Sequence, residues 1–144
     1  MDIAFCDNDE RTVRDAIADA AAGCRRARLA VAFAKGSGLD AAPVFRDLVQ
    51  QGSHVQLIAG VDFQLTDLSA VEEFDHPPSE ARLYFRASES NNRAFHPKVY
   101  VFERDRESVA VVGSSNLTGG GLGNNVEANL VLRAEPEHPV IRRI

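Results

Sequence analysis

Two apolar, strand-like runs, residues 95–103 and 108–112, restrict this chain more than any other feature, because each borders residues that carry chemistry. The first holds His96 and Lys98, and the second runs into Gly113-Ser114-Ser115-Asn116. Side chains alternate between the faces of a strand, so His96 and Lys98 are predicted to point the same way, setting an imidazole beside a fixed positive charge. The small polar residues after the second run can approach a phosphate closely. A histidine, a lysine and an amide on neighbouring strand ends suit phosphoryl transfer. The ring serves as nucleophile or base, while the cation and the amide stabilise developing negative charge. Each residue alone reads more simply: a structural histidine, a solvated lysine, a turn asparagine.

The remaining pattern supplies a frame for these strands. Residues 9–23 read as a helix, with Asn8 or Asp9 as its cap and Val13, Ile17 and Ala20 or Ala21 on one face. Residues 28–34 read as a buried strand, Gly36-Ser37-Gly38 as a turn, and residues 39–51 as a helix ending at Gly52. A strand is expected at 54–59 and a short helix at 66–74, capped by Thr66 with Asp67 in its first turn. Strands at 81–87, 108–112 and about 126–133 follow, with a polar loop at 88–93. Strands alternating with helices, then a run of strands, predict an α/β fold: a mixed β-sheet flanked by helices. We expect residues 1–134 to form one catalytic domain. Residues 135–144 read as a tail, or as the start of a helix or linker to a further domain of a longer protein.

Composition narrows the function classes. No run approaches the length of a membrane span, and the first residues lack a basic segment followed by an apolar stretch, so a soluble, cytoplasmic protein with no membrane partner is expected. Cys6 and Cys24 form no metal-ligand pattern and are expected to be free thiols. The acidic runs Asp7-Asn8-Asp9-Glu10 and Glu72-Glu73-Phe74-Asp75 are explained by helix capping and a solvated helix end, so neither metal nor other cofactor is expected. The formal charge of −5 argues mildly against nucleic acid, but its distribution does not. Between Ala81 and Arg106 six cations (Arg82, Arg86, Arg93, Lys98, Arg104, Arg106) stand against three acids (Glu89, Glu103, Asp105). A locally basic site on an acidic body still attracts phosphates, with marked salt sensitivity.

The pattern His96-x-Lys98-x4-Glu103, then nine residues to Gly113-Ser114-x-Asn116, resembles the signature of the phospholipase D superfamily, H-x-K-x4-D-x6-G-S-x-N, with three more residues before the glycine. One residue type departs as well: Glu103 stands where the family has Asp, and alternation points it away from His96 and Lys98, so it reads as structural. The run from Gly113 to Glu127 is closer still to the nuclease-like, single-motif branch of bacterial endonucleases, restriction enzymes and helicase-associated domains. The resemblance covers roughly residues 9–134, and implies a phospholipase D-like α/β/α sandwich. It also implies a phosphohistidine at His96, with Lys98 and Asn116 on the non-bridging phosphate oxygens. Glu127 lies eleven residues after Asn116, as does a glutamate in that branch, and is expected to hold one nitrogen of His96. Ser114 and Ser115 are expected to add hydrogen bonds to substrate. Tyr100 shares the face of His96 and Lys98, and either lines the site or packs in the core.

The family's reaction uses two histidines, so a chain with one motif is expected to act as a homodimer. The reading favoured is a metal-independent phosphodiesterase acting on DNA, alone or within a restriction or helicase system. The alternatives are a phospholipase or phosphatidyl transferase, and an inactive dimerising, nucleic-acid-docking module. The single motif, the absence of Trp and the lack of an exposed-looking apolar loop favour the nuclease.

Overall fold

The alternating apolar residues of the predicted strands come together in a single mixed sheet of seven strands among the described residues. The structure, a computed structural model, describes residues 1–86 and 93–144. The strands are β1 (Asp2–Cys6), β2 (Arg26–Val31), β3 (His54–Gly60), β4 (Glu80–Tyr84), β5 (Lys98–Glu103), β6 (Ser108–Gly113) and β7 (Asn129–Ala134), in the order β1-β7-β6-β5-β2-β3-β4. β2, β3 and β4 run parallel, and β5, β6, β7 and β1 join by antiparallel pairings. The parallel steps need crossovers, which the helices supply.

Helices α1 (Val13–Ala21), α2 (Gly36–Ala41), α3 (Val44–Gln50) and α4 (Leu68–Glu72) cover one face of the sheet. Their apolar residues Ile17, Leu39, Phe45 and Val71 share a core with Leu29, Leu57, Tyr100, Phe102 and Val111 of the strands. On the opposite face α5 (Pro139–Arg143) buries Ile141 against Val101, Ala110 and Ala134. This gives the expected α/β/α layering, with unequal cover on the two sides.

Several local expectations need correction. β1 was not anticipated; it pairs with β7 at the sheet edge, from Asp2 against Arg133 to Cys6 against Asn129. The first helix starts at Val13, and Thr12 caps it by accepting the Asp15 N–H. Asn8 does contribute: it takes a positive φ of 71°, its Oδ1 accepts the Val13 N–H, and its amide donates to Gly121 and Asn125 carbonyls. Gly36-Ser37-Gly38 is the first turn of α2 rather than a loop, and Pro43 divides the single helix expected at 39–51 into α2 and α3. Thr66 does not cap α4. Its hydroxyl donates to the Gly60 carbonyl and accepts the Ala34 N–H, tying the ends of two strands together. Cys6 and Cys24 are free and buried. The predicted loop at 88–93 and the end of the strand predicted at 81–87 lie largely outside the described residues. Among the described residues, no helix is long and apolar enough to cross a membrane.

Candidate active site

The registers Val31↔Lys98, Val99↔Val112, Gly113↔Asn129 and Gly60↔Tyr84 bring one end of every strand to the same edge of the sheet. The segments leaving that edge carry His96, Ser114, Asn116, Glu127 and, from β2 and β3, Phe33 and Phe63. His96 itself precedes β5 rather than lying in it. Pro97, next to it, cannot donate to a ladder, but its carbonyl accepts the Ala32 N–H at 2.8 Å.

His96 and Lys98 meet as expected. The Lys98 Nζ lies 2.6 Å from His96 Nδ1, 3.1 Å from Nε2 and 3.0 Å from the His96 carbonyl. An ammonium only donates, so the ring nitrogen it meets acts as acceptor. Lys98 is 8% exposed, whereas the His96 ring faces solvent. Burial pushes the Lys98 ammonium below its ordinary value, and the negative charge of Glu127 partly opposes this.

Asn116 is anchored by its oxygen. Its Oδ1 accepts the Phe33 N–H at 3.1 Å, which fixes the amide orientation and leaves its NH₂ hydrogens as the donors it can offer. Its neighbour Ser115 is fully buried: the N–H donates to Asn129 Oδ1, the hydroxyl accepts from Asn129 Nδ2 at 2.9 Å, and the carbonyl accepts from Tyr100 at 3.0 Å. Ser115 and Tyr100 therefore lie beneath the site instead of lining it. Tyr100 is 1% exposed and stacks on Phe45, and burial raises its phenol well above the ordinary value. Gly113 is required by packing: a Cβ there would press on the Ala128 carbonyl and come within 2.5 Å of Asn129 Oδ1. The glycines after Thr118 form a π-helical turn, Gly120–Asn124, and a Cβ on Gly121 would lie 2.6 Å from the Asn116 carbonyl. This turn closes against the backbone of Asn116.

Glu127 sits just before β7. Its carboxylate accepts a hydrogen bond from the Ser114 hydroxyl and another from Asn125 Nδ2 at 3.4 Å. Ser114 in turn accepts the Ala128 N–H at 2.9 Å. Within the chain Glu127 thus engages Ser114, and it acts on Lys98 electrostatically. Glu103 faces the other way and pairs with Arg28 at 3.0 Å.

Three residues at or under the site were not foreseen. Phe33 and Phe63 meet the His96 ring edge-on, at centroid distances of 6.0 and 5.9 Å, and Lys98 Nζ lies 6.0 Å from the Phe33 centroid. Asn129 is 2% exposed and organises Ser115. The expectation of no exposed apolar loop is also overturned, since the segment after β3 exposes Phe63, Leu65 and Leu68. Among the described residues, no three His, Cys, Asp or Glu side chains are placed to hold a metal ion.

The family model described as "Cardiolipin synthase, PLD-like domain" matches residues 11–143. No curated protein sequence matches. Among solved structures, NucT from Helicobacter pylori is similar at 17% identity and a TM-score of 0.69, covering 99% of this chain and 89% of that one. Nuc from Salmonella typhimurium, a phospholipase D family member, is similar at 16% identity and a TM-score of 0.71, covering 99% and 88%. A phosphatidylserine synthase from Haemophilus influenzae is similar at 13% identity and a TM-score of 0.62, covering 98% of this chain and 36% of that one. At these identities the likeness is one of fold.

Proposed function

Because the chain belongs to the phospholipase D superfamily, a family of phosphodiesterases, we propose that it is a metal-independent nuclease that cleaves DNA through a phosphohistidine on His96. The observation that carries this reading is the contact of the His96 ring with the Lys98 ammonium, beside an Asn116 amide turned outward by the Phe33 N–H. A ring nitrogen of His96 attacks phosphorus and the P–O bond to the leaving oxygen breaks. Lys98 and Asn116 hold the non-bridging oxygens as negative charge builds. The leaving oxygen takes its proton from His96 of the partner subunit, which then removes a proton from water. The resulting hydroxide attacks the phosphohistidine, releasing a phosphomonoester and the free imidazole. Glu127 supports the cationic side of this exchange through Lys98, and Ser114 holds Glu127 in place. Ser115 and Tyr100 position Asn116 from below. The dimer, nucleic acid as partner and a cytoplasmic setting belong to the same reading, which is also supported by the fold likeness to NucT and Nuc.

The test is cleavage of labelled DNA in EDTA, with capture of a phosphorylated His96 by acid-free quench and mass spectrometry. His96-dependent cleavage and a labelled His96 are expected. A strict magnesium requirement, or activity retained by His96→Ala, would overturn the reading. A dimer carrying one His96→Ala chain should fall far below half of wild-type activity, because each composite site needs both histidines. The exposed Phe63, Leu65 and Leu68 beside the site favour a second reading, a phosphodiesterase acting on phospholipid. Release of headgroup from phosphatidylcholine vesicles, with no cleavage of DNA, would select it.

A further inference from the structure

Phe33, Phe63 and His96 form a triangle of rings. Phe33 and Phe63 meet edge to face at 5.7 Å and 87°, and each also meets His96 nearly perpendicularly. The core has its own aromatic cluster of Phe45, Phe74, Tyr100 and Phe102 on the helix-covered face of the sheet, and Phe63 is not part of that core. Phe63 is instead 44% exposed. Its segment is held firmly for a surface loop. Gln64 adopts a φ of 55° and donates to the Val61 carbonyl, Thr66 ties Gly60 to Ala34, and the Asp67 N–H donates to the Ala34 carbonyl at 2.8 Å. Asp62 Oδ1 accepts the Arg86 N–H at 2.9 Å. A half-exposed aromatic ring on a well-anchored loop, next to a nucleophile that takes phosphorus, calls for a planar ligand attached to that phosphorus.

We propose that Phe63, backed by Phe33, is a stacking platform for the base of a nucleotide whose phosphate lies on His96, Lys98 and Asn116, and that the site therefore selects an unpaired nucleotide. The inference rests on the nucleic-acid reading above and specifies its substrate. Inside a duplex both faces of a base are covered by its neighbours, so a paired base must unstack before Phe63 can reach it. A free strand offers that face at little cost, and stacking on an aromatic side chain strengthens binding about ten- to a hundredfold per base. Phe63 is thus a specificity residue. The chemistry stays with His96.

The experiment compares kcat/KM on three oligonucleotides that each contain one cleavable phosphodiester: a single strand, the same strand in a duplex, and a single strand with tetrahydrofuran abasic sites flanking that linkage. Wild type, Phe63→Ala and Phe63→Tyr are measured in EDTA, and the mass of each in solution is determined by sedimentation. Wild type is expected to prefer the single strand over the duplex. Phe63→Ala should lose about ten- to a hundredfold on the single strand yet stay within about twofold on the abasic substrate, and Phe63→Tyr should retain the preference. If Phe63→Ala lowered the normal and abasic substrates equally, the ring would merely position His96. If it broke the dimer, the ring would be an interface residue. Either result overturns the proposal while leaving the nuclease reading intact. Failure of wild type to cleave any of the three would instead overturn the nuclease reading, and the platform with it.

Discussion

On the side of the site built from residues 113–129, Ser115 is bonded at its N–H, its hydroxyl and its carbonyl, and Gly113 leaves no room for a Cβ. On the other side, His96 stands exposed before its strand, held by Lys98 and by the bond at the neighbouring Pro97 carbonyl, with the rings of Phe33 and Phe63 beside it. In the proposed reaction the first arm carries the donor that must already face the phosphate when charge develops, and electrostatic stabilisation is greatest when such groups need no reorganisation. On the same proposal the second carries the group that bonds to phosphorus and is then released. Rigidity would then lie where charge is stabilised, and lighter restraint where a covalent bond is made and broken.

The sharpest way to break this comparison is to damage one arm at a time. His96→Ala should lower turnover at least about a thousandfold while changing stability by no more than about 0.5 kcal/mol, because the residue is exposed. Gly113→Ala should act in reverse order. Its Cβ meets backbone rather than a flexible side-chain end, so stability should fall by about 3 kcal/mol, and activity should fall with it. Urea denaturation alongside steady-state rates separates the two. Equal destabilisation by both would show that the arms are not held differently.

Asn129→Ala comes next. It removes both bonds to Ser115 and leaves a buried N–H and hydroxyl without these partners, which should cost about 2 to 3 kcal/mol. Because Ser115 precedes Asn116, the rate should drop although Asn129 touches no substrate. Asn129→Asp retains an acceptor for the Ser115 N–H and should recover part of the stability.

These positions differ in how legible they were. The spacing from His96 to Asn116 could be read because β5 and β6 are adjacent in both sequence and space, so local alternation and a short connection fix where each residue emerges. Asn129, Phe33 and Phe63 were not legible as site residues. They arrive from other strands, and no local period marks a side chain that will bond or stack across the sheet edge. β1 escaped for a related reason. It is a short edge strand, exposed along most of its length, whose pairing with β7 spans nearly the whole chain. The break between α2 and α3 was different, since Pro43 stood in plain view. Glu127 was placed at the site by the family resemblance, which assigned it to His96; within the chain its carboxylate meets Ser114 instead, a contact the resemblance did not carry.

A smaller effect should appear in the pH profile. Burial lowers the Lys98 ammonium from its ordinary value and Glu127 raises it. Activity that needs a charged Lys98 should fall as pH rises through this lowered value. Glu127→Gln removes the opposing charge, so the alkaline limb of kcat/KM should move to lower pH; a limb that stayed fixed would sink the coupling. The stability sign is opposite to that of a paired lysine. Between the lowered folded value and the ordinary unfolded value the unfolded chain binds more protons, so stability contributed by Lys98 rises with pH across that window.

The smallest effect is expected where the chain departs from its family's signature. Glu103 ends β5, five residues from Lys98 and on the opposite face, where it pairs with Arg28. Both side chains are about a third exposed, 30% and 32%, and such pairs contribute at most about 1 kcal/mol. Glu103→Asp withdraws the carboxylate by one methylene and weakens that pair, but it adds nothing near the His96 ring. Stability should fall by about 1 kcal/mol or less, and kcat/KM should stay within about twofold of wild type. Arg28→Ala in the Glu103→Asp background should then cost little more, because the two substitutions remove one interaction. A tenfold change in kcat/KM on Glu103→Asp would mean that the far end of β5 does set the His96–Lys98 geometry. The division between a rigid and a lightly held arm would then have to be redrawn to include this strand.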